Sequence, residues 1–198
     1  MKLGIIGLGN MGSAILGGVV AKGITDNSNI IGFDLSDAAK AKVKENYRIN
    51  VASGNEEVLE FADVVLLAVK PQHIGEMLGK IKDKWNKNTL IISIAAGKTI
   101  EWLENNIGSD MKIVRCMPNT PALVGEGCTG ICANKNVMKE DMDTALKILS
   151  ACGKAIEVTE SQMDAVVGIS GSAPAYVFMF IEAMADAGVA AGLTRDKA

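Results

Sequence analysis

Within its first 21 residues the chain passes from a short apolar run, through a glycine-rich turn, into a helix of small residues. Few folds accommodate that succession. Residues 3–6 (Leu-Gly-Ile-Ile) read as a buried strand, and residues 13–21 as the helix. Between them Gly7, Leu8, Gly9, Asn10, Met11 and Gly12 spell G-x-G-x-x-G. Each glycine answers a different need. Gly7 makes the tight turn, Gly9 lets a pyrophosphate reach the backbone, and Gly12 lets helix and strand pack closely. A bound anion would rest on the unpaired N–H groups and positive dipole end of the helix. In this setting the motif predicts a dinucleotide site; a glycine turn with no ligand is the alternative.

The rest of the chain repeats the strand-then-helix pattern. Apolar, β-branched runs at 29–33, 48–52, 63–69, 89–94, 112–116, 129–133 and 155–158 read as strands. Helical patterns fall at 36–45, 55–61, 72–85, 100–106 and 139–152. Such alternation predicts an α/β fold, a Rossmann-type doubly wound and mostly parallel sheet with crossover helices. Ligands of these sheets bind outside the carboxyl ends of the strands. The loops that begin at Gly7, Asp34, Lys70, Ala95 and Met117 are all such ends, so they converge on one edge. Strand patterns stop at residue 161. The expected division is a dinucleotide-binding domain over 1–159, followed at 160–198 by the start of an all-helical domain.

Individual residues sharpen this frame. Asp34 ends the second strand, where a carboxylate can bond both ribose hydroxyls of NAD and repel the 2′-phosphate of NADP. Its alternative is a charge favouring the N-terminus of the next helix, capped by Ser36. Lys70, before Pro71 at the sheet edge, is placed to touch a cofactor. Asn119 and Thr120, in the proline-flanked turn 117–121, divide evenly between serving the turn and contacting substrate or nicotinamide. Glu160 reads as a solvated glutamate on its own pattern. Ser172 is a plausible N-cap with Pro174 in the first turn of a last helix.

Charge and composition exclude some partners. A net charge of -3 with no Lys/Arg run gives no footprint for nucleic acid or an anionic membrane surface. The N-terminal apolar run breaks at glycines, unlike a signal peptide. The apolar stretch 174–193 is long enough to span a membrane but carries Glu182 and Asp186. An Asp near a spanning helix's centre costs roughly 2.5–3.5 kcal/mol. A soluble helix buried at a subunit or domain interface fits better, and an exposed apolar face of this size implies self-association. Cys116, Cys128, Cys132 and Cys152 form no C-x-x-C pair, and His73 is the single histidine. Free thiols in a reducing cytoplasm and no metal site are expected.

In series, five segments resemble pyrroline-5-carboxylate reductases. They are the opening glycine motif, Ala68-Val69-Lys70-Pro71, Ala95-Ala96-Gly97, Arg115-Cys116-Met117-Pro118-Asn119-Thr120-Pro121 and Ser170-Gly171-Ser172-Ala173-Pro174-Ala175-Tyr176. The resemblance spans nearly the whole chain. It implies hydride transfer from NAD(P)H to the C=N carbon of 1-pyrroline-5-carboxylate, giving L-proline in proline biosynthesis. By that resemblance Gly7, Leu8, Gly9, Asn10, Met11, Gly12, Asp34, Leu35, Ser36 and Asn55 hold the cofactor. So do Ala68, Val69, Lys70, Pro71, Ala95, Ala96 and Gly97. Asn119, Thr120 and Glu160 fall to the substrate, Glu160 beside its nitrogen, where negative charge favours the protonated iminium.

Two departures from the family pattern matter. Asp34 and Leu35 stand where many members carry Ser or Asn and then Arg, which implies a preference for NADH over NADPH. The chain also ends at Ala198, whereas the family continues into helices that build a dimer and into a loop that supplies a hydroxyl to the site. No catalytic residue is therefore assigned, and this length is expected to bind cofactor and reduce substrate poorly. Two alternatives stay open. A β-hydroxyacid dehydrogenase shares the opening motif but needs a Lys base and an Asn on the long helix, and residues 174–192 hold neither. The other is a non-catalytic NAD(P)-binding module.

Overall fold

Eight short strands pair into one sheet in the computed structural model, which describes residues 1–198. They are β1 (Leu3–Ile6), β2 (Ile30–Phe33), β3 (Asn50–Val51), β4 (Val64–Leu67), β5 (Leu90–Ser93), β6 (Lys112–Met117), β7 (Gly127–Ala133) and β8 (Gly153–Glu157). The spatial order is β3-β2-β1-β4-β5-β6-β7-β8. β1 to β6 run parallel; β7 turns back antiparallel to β6, and β8 runs parallel to β7. Strand order reverses at β1, which pairs with β2 on one side and β4 on the other. The glycine-rich turn leaves the sheet at that switch point, where open α/β sheets bind ligands.

Helices cover both faces. On one side, α1 (Asn10–Ala21), α2 (Asp37–Tyr47) and α6 (Lys139–Leu149) pack Leu16, Val43 and Ile148 against Leu3, Ile5, Leu66, Ile92 and Val114. On the other, α3 (Asn55–Phe61), α4 (Ile74–Lys80) and α5 (Ile100–Ile107) pack Val58, Leu78 and Leu103 against Ile6, Val65, Leu67, Ile91 and Ile113. Successive strand residues thus feed opposite cores. This is why the parallel strands read as unbroken apolar runs rather than alternating ones.

All eight expected strands form, with boundary differences. β4 stops at Leu67, two residues short of the predicted end, although Ala68 N still donates to Ile6 O at 2.8 Å. α1 starts at Asn10, directly out of the glycine turn. α4 ends at Lys80, and a 3₁₀ turn, Lys82–Lys84, replaces its expected last residues.

The larger difference lies at the C-terminus. No new helix begins at Ser172, which sits in helical backbone (φ -96, ψ -40) and makes no capping bond. Instead a continuous helix runs from Glu160 to Ala190. It contains α7 (Met163–Val166), a π-helical segment Val167–Ser172, and α8 (Ala173–Ala190). Pro174 explains the π turn. A proline inside a helix donates no N–H and its ring collides with the carbonyl four residues back. A wider turn relieves both. Ser170 Oγ donates to Val166 O at 2.9 Å, supplying one donor inside the loosened ladder. No residue of α8 is buried.

Candidate dinucleotide site

Between β1 and α1 the backbone has almost no freedom at two glycines and ample space at the third. Gly7 has φ +100, a conformation L side chains avoid, and its N–H donates to Phe33 O at 2.8 Å. A Cβ there would lie 2.6 Å from Ala68 O. A Cβ on Gly12 would overlap Gly7 O and touch the Ala68 methyl at 3.1 Å. Gly9, by contrast, has nothing within 4 Å of its Cβ position. It is the N-cap of α1 and offers no side-chain capping bond. The N-terminus of this 12-residue helix thus has no side-chain cap and open space beside Gly9, the arrangement an anion needs. Ser13 Oγ donates to Leu8 O at 2.8 Å and pins the turn from below.

Asp34 lies across this turn. Its Oδ2 accepts Leu8 N at 2.7 Å, and its Oδ1 accepts Ser36 N at 2.8 Å. One carboxylate thus joins the β1–α1 turn to the β2–α2 loop. Ser36 caps α2, its Oγ accepting Ala39 N at 3.3 Å. Leu35 between them is 91% exposed, so nothing in the fold requires an apolar side chain there. Lys40, one turn into α2, sits 2.8 Å from Asp37 and 5.5 Å from the Phe33 ring centroid. Beyond β3, Asn55 opens α3 with its side-chain Oδ1 buried and without a hydrogen-bond partner. A buried unpaired carbonyl costs free energy unless a ligand donor meets it.

The remaining loops continue along the same edge. Ala68 packs on the glycine turn; Val69 and Pro71 are partly covered and Lys70 is exposed. After β5, Ala95 is buried while Ala96 and Gly97 face solvent, with Gly97 at φ +72. Asn119 Oδ1 accepts Cys128 N at 2.9 Å and ties the β6 loop to β7, which leaves its amide NH₂ for other partners. Thr120 is exposed and starts a 3₁₀ turn, Thr120–Val124. Sequence reasoning expects a rigid turn here but not its helical hydrogen bonding.

Glu160 has partners the sequence did not reveal. Its Oε1 accepts Arg115 Nη1 at 2.9 Å and Ile100 N at 2.7 Å. The guanidinium side chain is only 8% exposed. A carboxylate already neutralised by a buried arginine is a poor source of free negative charge for an iminium. The one available signal was an arginine inside the otherwise apolar strand Ile-Val-Arg-Cys-Met.

All four cysteines are free thiols. Cys116 and Cys132 face opposite sides of the sheet. Burial raises the Cys116 thiol well above its usual range. Burial, with a smaller push from Glu160, raises Cys132 to about 11.

The vacant space over Gly9, the uncapped α1 terminus and the orphaned Asn55 carbonyl fit a dinucleotide laid across the carboxyl edge. The fold and this site define a Rossmann-type oxidoreductase that uses a nicotinamide dinucleotide. Comparison with known proteins narrows the class. Residues 2–97 match the family described as NADP oxidoreductase, coenzyme F420-dependent, and residues 160–198 match pyrroline-5-carboxylate reductase dimerisation. The chain is 45% identical over 197 residues to pyrroline-5-carboxylate reductase of Escherichia coli (strain K12), covering 100% of this chain and 73% of that one. Among solved structures it resembles the Plasmodium falciparum pyrroline carboxylate reductase with NADP bound (42% identity, TM-score 0.88, 99% of this chain and 72% of that one). It also resembles the reductase from Coxiella burnetii (37% identity, TM-score 0.91, 99% and 73%).

The chain belongs to the pyrroline-5-carboxylate reductase family. It is an NAD(P)H-dependent oxidoreductase whose family reduces 1-pyrroline-5-carboxylate to proline, and this answers the β-hydroxyacid dehydrogenase alternative. The apolar helix lies within the stretch that matches the family's dimerisation region.

Proposed function

We propose that the chain binds a nicotinamide dinucleotide and, slowly at this length, reduces 1-pyrroline-5-carboxylate with NADH in preference to NADPH, in the cytoplasm and as a homo-oligomer. The observation that carries the cofactor choice is Asp34. Its carboxylate crosses from the β2 end to the glycine turn, 2.7 Å from Leu8 N, where the adenosine ribose of a Rossmann ligand lies. Both oxygens keep lone pairs for ribose hydroxyls, and the same charge opposes a 2′-phosphate. Residues 34–36 supply no cation, and Lys40 is engaged by Asp37. Titrating the protein with NADH and NADPH, alongside kcat/KM for each with 1-pyrroline-5-carboxylate, tests the proposal. At least tenfold preference for NADH is expected; equal or better use of NADPH would overturn it.

Around the reacting end, Ala96 and Gly97 offer exposed backbone to a nicotinamide ring. The Asn119 amide and Thr120 hydroxyl lie in the loop that follows β6 and would serve the substrate. The bound nicotinamide supplies the hydride; the chain binds, orients and excludes water. We read residues 1–159 as the dinucleotide-binding unit and 160–198 as the start of the helical unit. The end of the strands at β8 and the dimerisation match from residue 160 support that division. Free thiols accord with a reducing cytoplasm.

Self-association should run through α8. Tyr176, Phe178, Phe180 and Met184 are each more than half exposed. Burying such side chains contributes roughly 1.5–3 kcal/mol apiece before association costs. Phe178→Lys with Phe180→Lys should weaken self-association at least 100-fold in sedimentation velocity, with an unchanged far-UV spectrum. An unaltered oligomer would place the interface elsewhere.

A further inference from the structure

Glu160 stands at the junction of three segments that meet at the reacting end of the site. Its Oε1 accepts the backbone N–H of Ile100, the first residue of α5, across 60 residues of chain. That N–H is one of the donors a helix N-terminus cannot satisfy internally. Thr99 serves a second one, its Oγ1 accepting Trp102 N at 3.1 Å. Together they fix the downstream end of the loop that presents Ala96 and Gly97. The same Oε1 accepts Arg115 Nη1 at 2.9 Å. Arg115 is level with Ser93, the last residue of β5, and two residues before the end of β6. It thus leads directly into the loop bearing Asn119 and Thr120. Glu160 itself begins the long helical arm, whose π segment places Gly171 against Met117 at the end of β6.

We propose that Glu160, paired with Arg115, is a positioning residue for imine reduction. It locks the β5–α5 loop, the β6 loop and the helical arm into one geometry, so that nicotinamide and substrate face each other. This rests on the reductase reading above. It differs from a direct electrostatic role at the substrate nitrogen. The ion pair is asymmetric in burial: the Arg115 side chain is 8% exposed and that of Glu160 is 38% exposed. Glu160→Ala strands a buried cation and uncaps α5, whereas Glu160→Gln with Arg115→Met removes both charges and keeps an acceptor for the α5 terminus. Adenosine binding lies at β1 and β2, several strands away, and does not depend on the clamp.

Four variants of the protein test this: Glu160→Ala, Glu160→Gln, Arg115→Met, and Glu160→Gln with Arg115→Met. Glu160→Ala is expected to lower kcat at least tenfold and raise the substrate KM, while the Kd for NADH stays within threefold. Glu160→Gln keeps an acceptor for Ile100 N, and with Arg115→Met it should recover most of the loss. Hydrogen exchange at the Ile100 amide, read without substrate, should speed up at least tenfold in Glu160→Ala and far less in Glu160→Gln. A fall in melting temperature with kcat unchanged would overturn the proposal by leaving the clamp merely structural. An undiminished or raised kcat in Arg115→Met, with Glu160→Gln as poor as Glu160→Ala, would overturn it in favour of direct action on the substrate. Absence of imine-dependent NADH oxidation in the unsubstituted protein would sink the reductase reading instead; the exchange measurement would still report on the clamp.

Discussion

Adding one methyl group at Gly12 is expected to cost the protein both stability and dinucleotide binding, whereas the same methyl at Gly9 costs binding alone. At Gly12 the new Cβ would overlap the carbonyl oxygen of Gly7, a backbone atom that cannot rotate aside. Ordinary contact requires about 3.5 Å, so the start of α1 must move away from the β1 end by roughly an ångström. Overpacking of this kind costs about 1–3 kcal/mol. The displaced N–H groups no longer converge on the pyrophosphate, and each hydrogen bond to a charged group that is lost is worth about 1.5–3 kcal/mol, roughly 10- to 150-fold in affinity. Gly9 has φ -67 and ψ -171, which alanine adopts freely, and open space where its Cβ would go. Alanine there leaves the fold intact but occupies the approach of the anion. Thermal melting and NADH titration of Gly12→Ala and Gly9→Ala read the contrast directly. Melting temperature should fall by several degrees only in Gly12→Ala, and NADH affinity should drop at least 30-fold in both. If Gly9→Ala bound NADH normally, the pyrophosphate could not lie on the α1 terminus.

The glycine spacing, the Ser36 cap and the strand runs were legible because each is a local rule. Period and turn chemistry place β1 to β6, and strand ends place the loops. What stayed hidden depends on residues distant in sequence. Glu160 reads as a surface glutamate until β6 brings Arg115 beside it, across 45 residues. Asn119 reads as a turn former, but its oxygen is spent on Cys128 in the next strand. The C-terminal helix misled in another way. Ser-x-Pro is a valid start signal for a helix, and only the preceding turns, already helical from Glu160, convert Pro174 from a first-turn residue into the cause of a π segment. Exposure of α8 was legible in part, since an apolar stretch of this size that carries Glu182 and Asp186 reads as an interface helix. The packing partner is not encoded in any local pattern.

Exchanging Asp34 for serine and Leu35 for arginine together is expected to invert the cofactor preference. Asp34 does two jobs that separate under substitution. It offers acceptors to the ribose, with hydrogen bonds to a charged group worth about 1.5–3 kcal/mol. It also holds Leu8 N and Ser36 N at 2.7 and 2.8 Å, so its loss alone loosens the glycine turn. Asp34→Ser should therefore weaken NADH binding about 10- to 100-fold and help NADPH only by removing repulsion. Arginine at 35 supplies what is then missing, a fixed guanidinium fork for the 2′-phosphate. Leu35 is 91% exposed, so the exchange disturbs no core contact. The pair should shift the ratio of kcat/KM values for NADPH over NADH by about 1,000-fold relative to the unsubstituted protein, most of it in KM. High salt should erode the new preference, because the added contact is an exposed charge pair. A ratio within threefold of the starting value would show that the 2′ position of the ribose does not face residues 34 and 35. The Asp34 carboxylate would then be a brace for the glycine turn and nothing more.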